Sequence, residues 1–164
     1  MHWTPSNSSL KKTIRALKDG RKVVFQSFRE SYYDYPHSFV PLKRVYRAKT
    51  FDEITSEMMG NVLGTQGALW TEFVSDEKRI QFNTFPRLTA KAEVGWSPDV
   101  TRDYQDFQQR WQNLVPHMKE LALINSAPQE VWDPSLYRQA FARFLDMRVD
   151  MQGEQKRWES KKSD

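Results

Sequence analysis

Apolar positions change period several times along this chain. Leu10, Ile14 and Leu17 recur at i, i+4 and i+7, one face of a short helix. Ser8 or Ser9 can cap its start, and Gly20 is placed to end it in the left-handed conformation. The run Lys22 to Phe28 is β-branched and aromatic enough for a buried strand. An aromatic stretch follows, Tyr32, Tyr33, Asp34 and Tyr35 before His37, and Pro36 prevents it from continuing as a strand.

The order then repeats. Thr50 can cap a helix running through Ile54 and Met58 to about Gly60, and a strand-like run from Gln66 to Phe73 comes after it. A longer helix is predicted from about Asp76, with Phe82, Phe85, Leu88, Ala92 and Trp96 on one side and a kink or restart at Pro86. Helix–strand–helix–strand–helix with short joins predicts parallel α/β architecture. Beyond Trp96 the pattern is helical only. Tyr104, Phe107, Trp111, Leu114, Met118 and Leu121 follow a helical rhythm after a capping Asp103, and Pro116 can bend the last part. After breaks at Pro128 and Pro134, a last helix carries Tyr137, Phe141, Phe144, Leu145 and Arg148. These stripes read as core packing.

Composition narrows the chemistry. The 164 residues contain no cysteine, which excludes disulfide scaffolds, thiolate zinc sites and cysteine nucleophiles. His2, His37 and His117 have no metal-ligand spacing, so neither a metal nor another cofactor is expected. Lys and Arg number 25 against 21 Asp and Glu, a formal +4, and the two signs interleave without a basic stripe. Nucleic acid is therefore not an expected partner. No apolar run reaches the roughly 20 residues of a membrane span, and the first residues lack the layout of a signal peptide, so the expectation is a soluble chain with no membrane partner.

In parallel α/β folds, ligands meet the carboxyl ends of the strands. Past the first strand stand Tyr32 and Asp34; at the end of the second stand Trp70 and Glu72, two apart and so on one side. A ring beside a carboxylate suits a sugar, covering its apolar face while accepting from neighbouring hydroxyls. The plainer alternative puts Trp70 in the core and Glu72 in a salt bridge.

Four segments resemble glycoside hydrolase family 20, the β-N-acetylhexosaminidases. Gly64-Thr65-Gln66-Gly67-Ala68-Leu69-Trp70-Thr71-Glu72 is similar to its G-x-Q-x-x-x-W-T-E segment, and Pro86 to Ser97 to its P-R-x-x-A-x-A-E-x-x-W-S helix. Tyr32-Tyr33-Asp34-Tyr35 resembles its Y-x-D-Y segment, and Asp106, Phe107 and Arg110 its D-F-x-x-R helix. The resemblance implies the C-terminal portion of a (β/α)8 TIM barrel, about strands six to eight, followed by C-terminal helices. The corresponding division is residues 1–123 for the partial barrel, 124–151 for a helical extension and 152–164 for a polar tail.

By that resemblance Tyr32 would bond the substrate's acetamido group, Asp34 and Glu72 would hold hydroxyls of the terminal sugar, and Trp70 would wall the sugar. Trp3 would match an aromatic of the preceding strand. Arg87, Glu93 and Trp96 would be structural, an Arg87–Glu93 pair bracing the outside of the barrel. The family works by substrate-assisted catalysis, an exception to the two-carboxylate scheme, and its paired carboxylates come as G-x-D-E. No such segment occurs in the 164 residues. Asp52-Glu53 and Asp76-Glu77 stand at predicted helix starts, where acids complement the dipole. The expected partners are an N-acetyl-β-hexosaminide and the remaining, N-terminal part of the barrel, and the chain alone is expected to be inactive. The alternative is a non-catalytic carbohydrate-binding or assembly module built on the same fold. Family members are often exported or lysosomal, which leaves the compartment open.

Overall fold

A computed structural model describes residues 7–71, 74–122, 125–141 and 144. The first helix, α1 (Asn7–Lys18), runs as its apolar period predicts, and Gly20 ends it at φ +76°. β1 (Val23–Phe25) follows, then the one-turn α2 (Phe28–Ser31). α3 (Leu42–Tyr46), begun by Pro41, was not predicted from the sequence. The helix expected from Thr50 shortens to α4 (Ser56–Met59). The second strand also lies earlier than predicted: β2 is Val62–Thr65, and of the expected strand only Ala68 pairs, in an isolated parallel bridge with Tyr32.

β1 and β2 form a two-stranded parallel sheet with Val23 opposite Val62, Val24 opposite Gly64 and Phe25 opposite Thr65. One residue of β2 is therefore extra, and Gly64 absorbs the bulge at φ +128°, a conformation that favours glycine. Pairing resumes beyond the strands, where Ala68 donates to the Ser31 carbonyl and Tyr33 to that of Ala68.

The long helix expected after Asp76 is two helices, α5 (Glu77–Thr84) and α6 (Arg87–Trp96), separated at Phe85–Pro86. Asp76 caps α5, accepting from the Arg79 amide at 2.9 Å. The face of α6 is not the predicted one. Leu88, Ala92 and Trp96 are exposed, whereas Arg87, Ala90, Lys91 and Val94 are buried. α7 (Tyr104–Glu120) begins at the predicted cap, Asp103, contains Pro116, and buries Tyr104, Phe107 and Trp111. Leu114 and Leu121 of the predicted stripe are exposed. α8 (Gln129–Trp132) buries Trp132. The predicted last helix runs over 136–141, but Tyr137, Phe141 and Phe144 are exposed rather than core; Leu145 and Arg148 lie outside the described residues.

Two apolar clusters cover one side of the sheet. Leu17 of α1, Val23 and Phe25 of β1, and Ile54 and Met58 form the first. Tyr33, Val40, Leu42, Val45 and Tyr46 form the second with Ala90 of α6, Tyr104, Phe107 and Trp111 of α7, and Trp132. Among the described residues no helix is long and apolar enough to cross a membrane.

Candidate functional site

Side-chain direction along the paired segments separates a helix-covered face from an open one. Val23 and Phe25 enter the first apolar cluster, Leu69 packs against the second, and a β-carbon on Gly95 of α6 would stand 3.2 Å from Thr65 Cγ2. Thr65, Gly67 and Leu69 thus face the helices, and the strand period puts Gln66, Ala68 and Trp70 on the other side with Val24 and Gln26. A direct contact agrees: the Gln66 Nε2 donates to Gln26 Oε1 at 3.2 Å. Tyr33 lies in the helix-side cluster, so its neighbour Tyr32, bridged to Ala68, belongs to the open face, its ring centroid 5.1 Å from that of Phe28. Tyr32 is half-buried, and Trp70 is 55% exposed.

The structure therefore brings Tyr32 and Trp70 onto one face, past the carboxyl ends of two parallel strands. Trp70 is not core, which removes the plainer alternative for that residue. Asp34 is buried. Glu72 and Trp3 lie outside the described residues.

Around Asp34 the chain is held from behind. Arg87 is fully buried and directs its guanidinium at backbone carbonyls: Nη2 to Tyr33 at 2.7 Å, Nη1 to Tyr35 at 2.8 Å and to Val40 at 3.3 Å, and Nε to Asn83 at 2.7 Å. Burial lowers its pKa to about 9, while the negative charge of Asp34 acts in the opposite sense. The same burial pushes the Tyr33 phenol well above its ordinary range. His37 closes the segment, its Nε2 3.2 Å from the Phe82 carbonyl, and burial together with the Arg87 charge lowers its pKa to about 3.

The predicted Arg87–Glu93 pair does not form. Glu93 instead accepts from Arg110 Nη2 at 2.8 Å and from the Tyr46 hydroxyl at 2.6 Å, while Arg110 Nε donates to Asp106 at 2.6 Å. The acidic pairs behave as follows. Asp76 is a helix cap and Glu77 opens α5, as predicted. Asp52 and Glu53 sit instead in a turn ahead of α4, with Asp52 3.1 Å from Lys49. Among the described residues, no three His, Cys, Asp or Glu side chains stand close enough to hold a metal. A cleft lined by Glu30, Lys43, Arg44, Arg47 and Asp133 contains none of the candidate sugar residues.

Sequence reasoning missed Gln26, Gln66 and the role of Arg87. The period of the first strand could have pointed to Gln26, since it shares a face with Val24. Nothing local marks Arg87 as buried.

Residues 1–99 match the family model described as glycosyl hydrolase family 20, catalytic domain. The chain belongs to this family. A β-hexosaminidase of Porphyromonas gingivalis is 34% identical over 76 residues, 46% of this chain and 10% of that protein. A β-N-acetylhexosaminidase of Cellulomonas fimi is 33% identical over 73 residues, 44% of this chain and 15% of its own length. The family 20 exo-β-N-acetylglucosaminidase of Vibrio harveyi, solved in complex with N-acetylglucosamine, superposes with a TM-score of 0.64 and 25% identity over 75% of this chain and 21% of that one. The matched region of this family 20 chain thus spans a small share of each relative. These neighbours are TIM-barrel enzymes and the present fold is α/β, as expected.

Proposed function

We propose that this chain is the C-terminal portion of a family 20 β-N-acetylhexosaminidase barrel, about its sixth to eighth strands, and that its open sheet face holds the terminal N-acetylhexosamine. In this reading residues 1–123 are the barrel segment, 124–151 a helical extension and 152–164 a polar tail. The observation that carries it is the shared face of Tyr32 and Trp70 beyond the carboxyl ends of parallel strands, in a chain whose relative from Vibrio harveyi was solved with N-acetylglucosamine.

Tyr32 bonds the acetamido group, Trp70 covers the apolar side of the ring, and Asp34 and Glu72 accept from hydroxyls. A hydroxyl reaching the buried Asp34 carboxylate meets little competing water, which strengthens such a bond. In the complete enzyme the acetamide oxygen attacks the anomeric carbon as an acid protonates the leaving oxygen and the glycosidic bond breaks; water then displaces the acetamide oxygen from that carbon with a second inversion, so hydrolysis retains configuration. No G-x-D-E segment for those steps occurs in these 164 residues. That same feature favours one second reading, a carbohydrate-binding module that uses the pocket without hydrolysis.

Titration calorimetry with methyl N-acetyl-β-glucosaminide tests the shared part. Saturable binding that Trp70→Ala removes is expected; a flat trace at millimolar sugar overturns both readings. Assay of an aryl N-acetyl-β-glucosaminide is expected to give no turnover by the chain alone. Turnover abolished by Asp76→Asn or Glu77→Gln would contradict the assignment of those acids as helix-start residues.

A further inference from the structure

We propose that Arg87 is the positioning residue for the Asp34 carboxylate, acting through the carbonyls that bracket it; the value of that carboxylate to a sugar rests on the reading above. Arg87 opens α6 on the helix-covered side of the sheet and is 0% exposed. A guanidinium taken out of water needs partners for its five donors, and here they are carbonyls. Nη2 takes the Tyr33 carbonyl and Nη1 the Tyr35 carbonyl, the residues on either side of Asp34. Because the guanidinium is a rigid planar fork, two carbonyls held by adjacent nitrogens have their relative orientation fixed. The backbone at Asp34 is fixed with them, and so is the direction in which its side chain leaves the chain.

The clamp is closed on the other side by an aromatic ring. Tyr33 places its ring centroid 5.2 Å from Arg87 Cζ, within cation–π range. That ring rests on Gly67, in the segment that leads to Trp70. One continuous set of contacts therefore runs from the Trp70 segment through Tyr33 and Arg87 to the backbone at Asp34. The charge of Asp34 is also felt at Arg87, opposing the effect of burial there. A lysine would keep the positive charge but not the fork, so charge and positioning can be separated by one substitution.

The test is the Asp34 χ1 rotamer, read by NMR from three-bond couplings to its carboxyl carbon in the wild-type chain and in Arg87→Lys. A single rotamer in the wild type and averaged couplings in a folded Arg87→Lys are expected. A single unchanged rotamer in the folded variant overturns the proposal and leaves Arg87 a structural anchor only. If Arg87→Lys does not fold, the wild-type chain decides. Slow rotation of the Arg87 Nη groups together with one Asp34 rotamer supports the clamp, and free rotation overturns it.

Sugar titration supplies the second arm. Arg87→Lys should weaken methyl N-acetyl-β-glucosaminide about tenfold, and should have no further effect in an Asp34→Ala background; additive losses overturn action through Asp34. If the wild-type chain binds no sugar, the functional reading fails while the rotamer measurement still decides the role of Arg87.

Discussion

Gly67 is the seat of the Tyr33 ring. A β-carbon on Gly67 would stand 3.1 Å from Tyr33 Cζ and 3.2 Å from its hydroxyl oxygen, and closer still to Cε2. Gly67→Ala must therefore displace a fully buried ring, an overpacking cost of about 1–3 kcal/mol. Denaturant unfolding should show a lower midpoint. Shrinking the ring with Tyr33→Leu should recover part of the loss, giving a non-additive double-mutant cycle.

Lys91 is buried in α6, and its Nζ has no hydrogen-bond partner among the described residues. Burial lowers its pKa from 10.5 to about 8, with the Glu30 charge opposing the shift. The unfolded chain therefore binds more protons than the folded one between those two values, and stability rises with pH across that window. Lys91→Met should stabilise the chain by about 2 kcal/mol near neutral pH, with the gain shrinking as pH rises from about 8 to 10.5. A variant no more stable at pH 7 would contradict the buried unpaired charge.

Both sites show where the sequence was legible and where it was not. α7 follows from local rules, since a cap and an apolar period act within one helix: Asp103 accepts from the Gln105 and Asp106 amides as placed. α1 follows from its period and the Gly20 stop, but it begins at Asn7, so Ser8 and Ser9 lie inside it and do not cap it. β2 was misplaced because the run Gln66–Phe73 carries strand-like side chains, whereas pairing depends on what β1 offers. β1 has only three residues, and the ladder uses Val62–Thr65 and then Ala68 alone. α3 is too short for a period to show. On α6 the rule that charged residues face water failed at Arg87 and Lys91. Arg87 is satisfied by carbonyls of the Tyr33–Val40 segment, partners that only tertiary folding supplies. For Tyr32 and Trp70 the sequence offered only their places past the strand ends. Their common face needed the Tyr32–Ala68 bridge.

His37 provides an acid-sensitive contact. Its folded pKa of about 3 lies below the ordinary 6.5, so the unfolded chain takes up the proton first. This contribution to stability is complete above about 6.5 and is lost as pH falls toward 3. The imidazole should remain neutral by NMR at pH 5, and His37→Gln should flatten the acid limb of the stability profile. An imidazole titrating near 6.5 in the folded chain would contradict this.

Tyr46 ties three helices together. Its hydroxyl donates toward Glu93 Oε1 at 2.6 Å and lies 2.9 Å from the Asp103 carbonyl, while Arg110 of α7 holds the same Glu93. Tyr46→Phe leaves Glu93 with Arg110 alone and should cost about 1–3 kcal/mol. The denaturant midpoint should fall with the slope unchanged.

The most direct test of the central claim is chemical-shift mapping of the 15N-labelled chain during titration with methyl N-acetyl-β-glucosaminide. The account predicts saturable shifts centred on the Trp70 indole N–H and on the Tyr32 and Ala68 amides, absent with the matching glucoside that lacks the acetamido group. Shifts confined to the Lys43–Lys49 cleft, or equal responses to both glycosides, would contradict it.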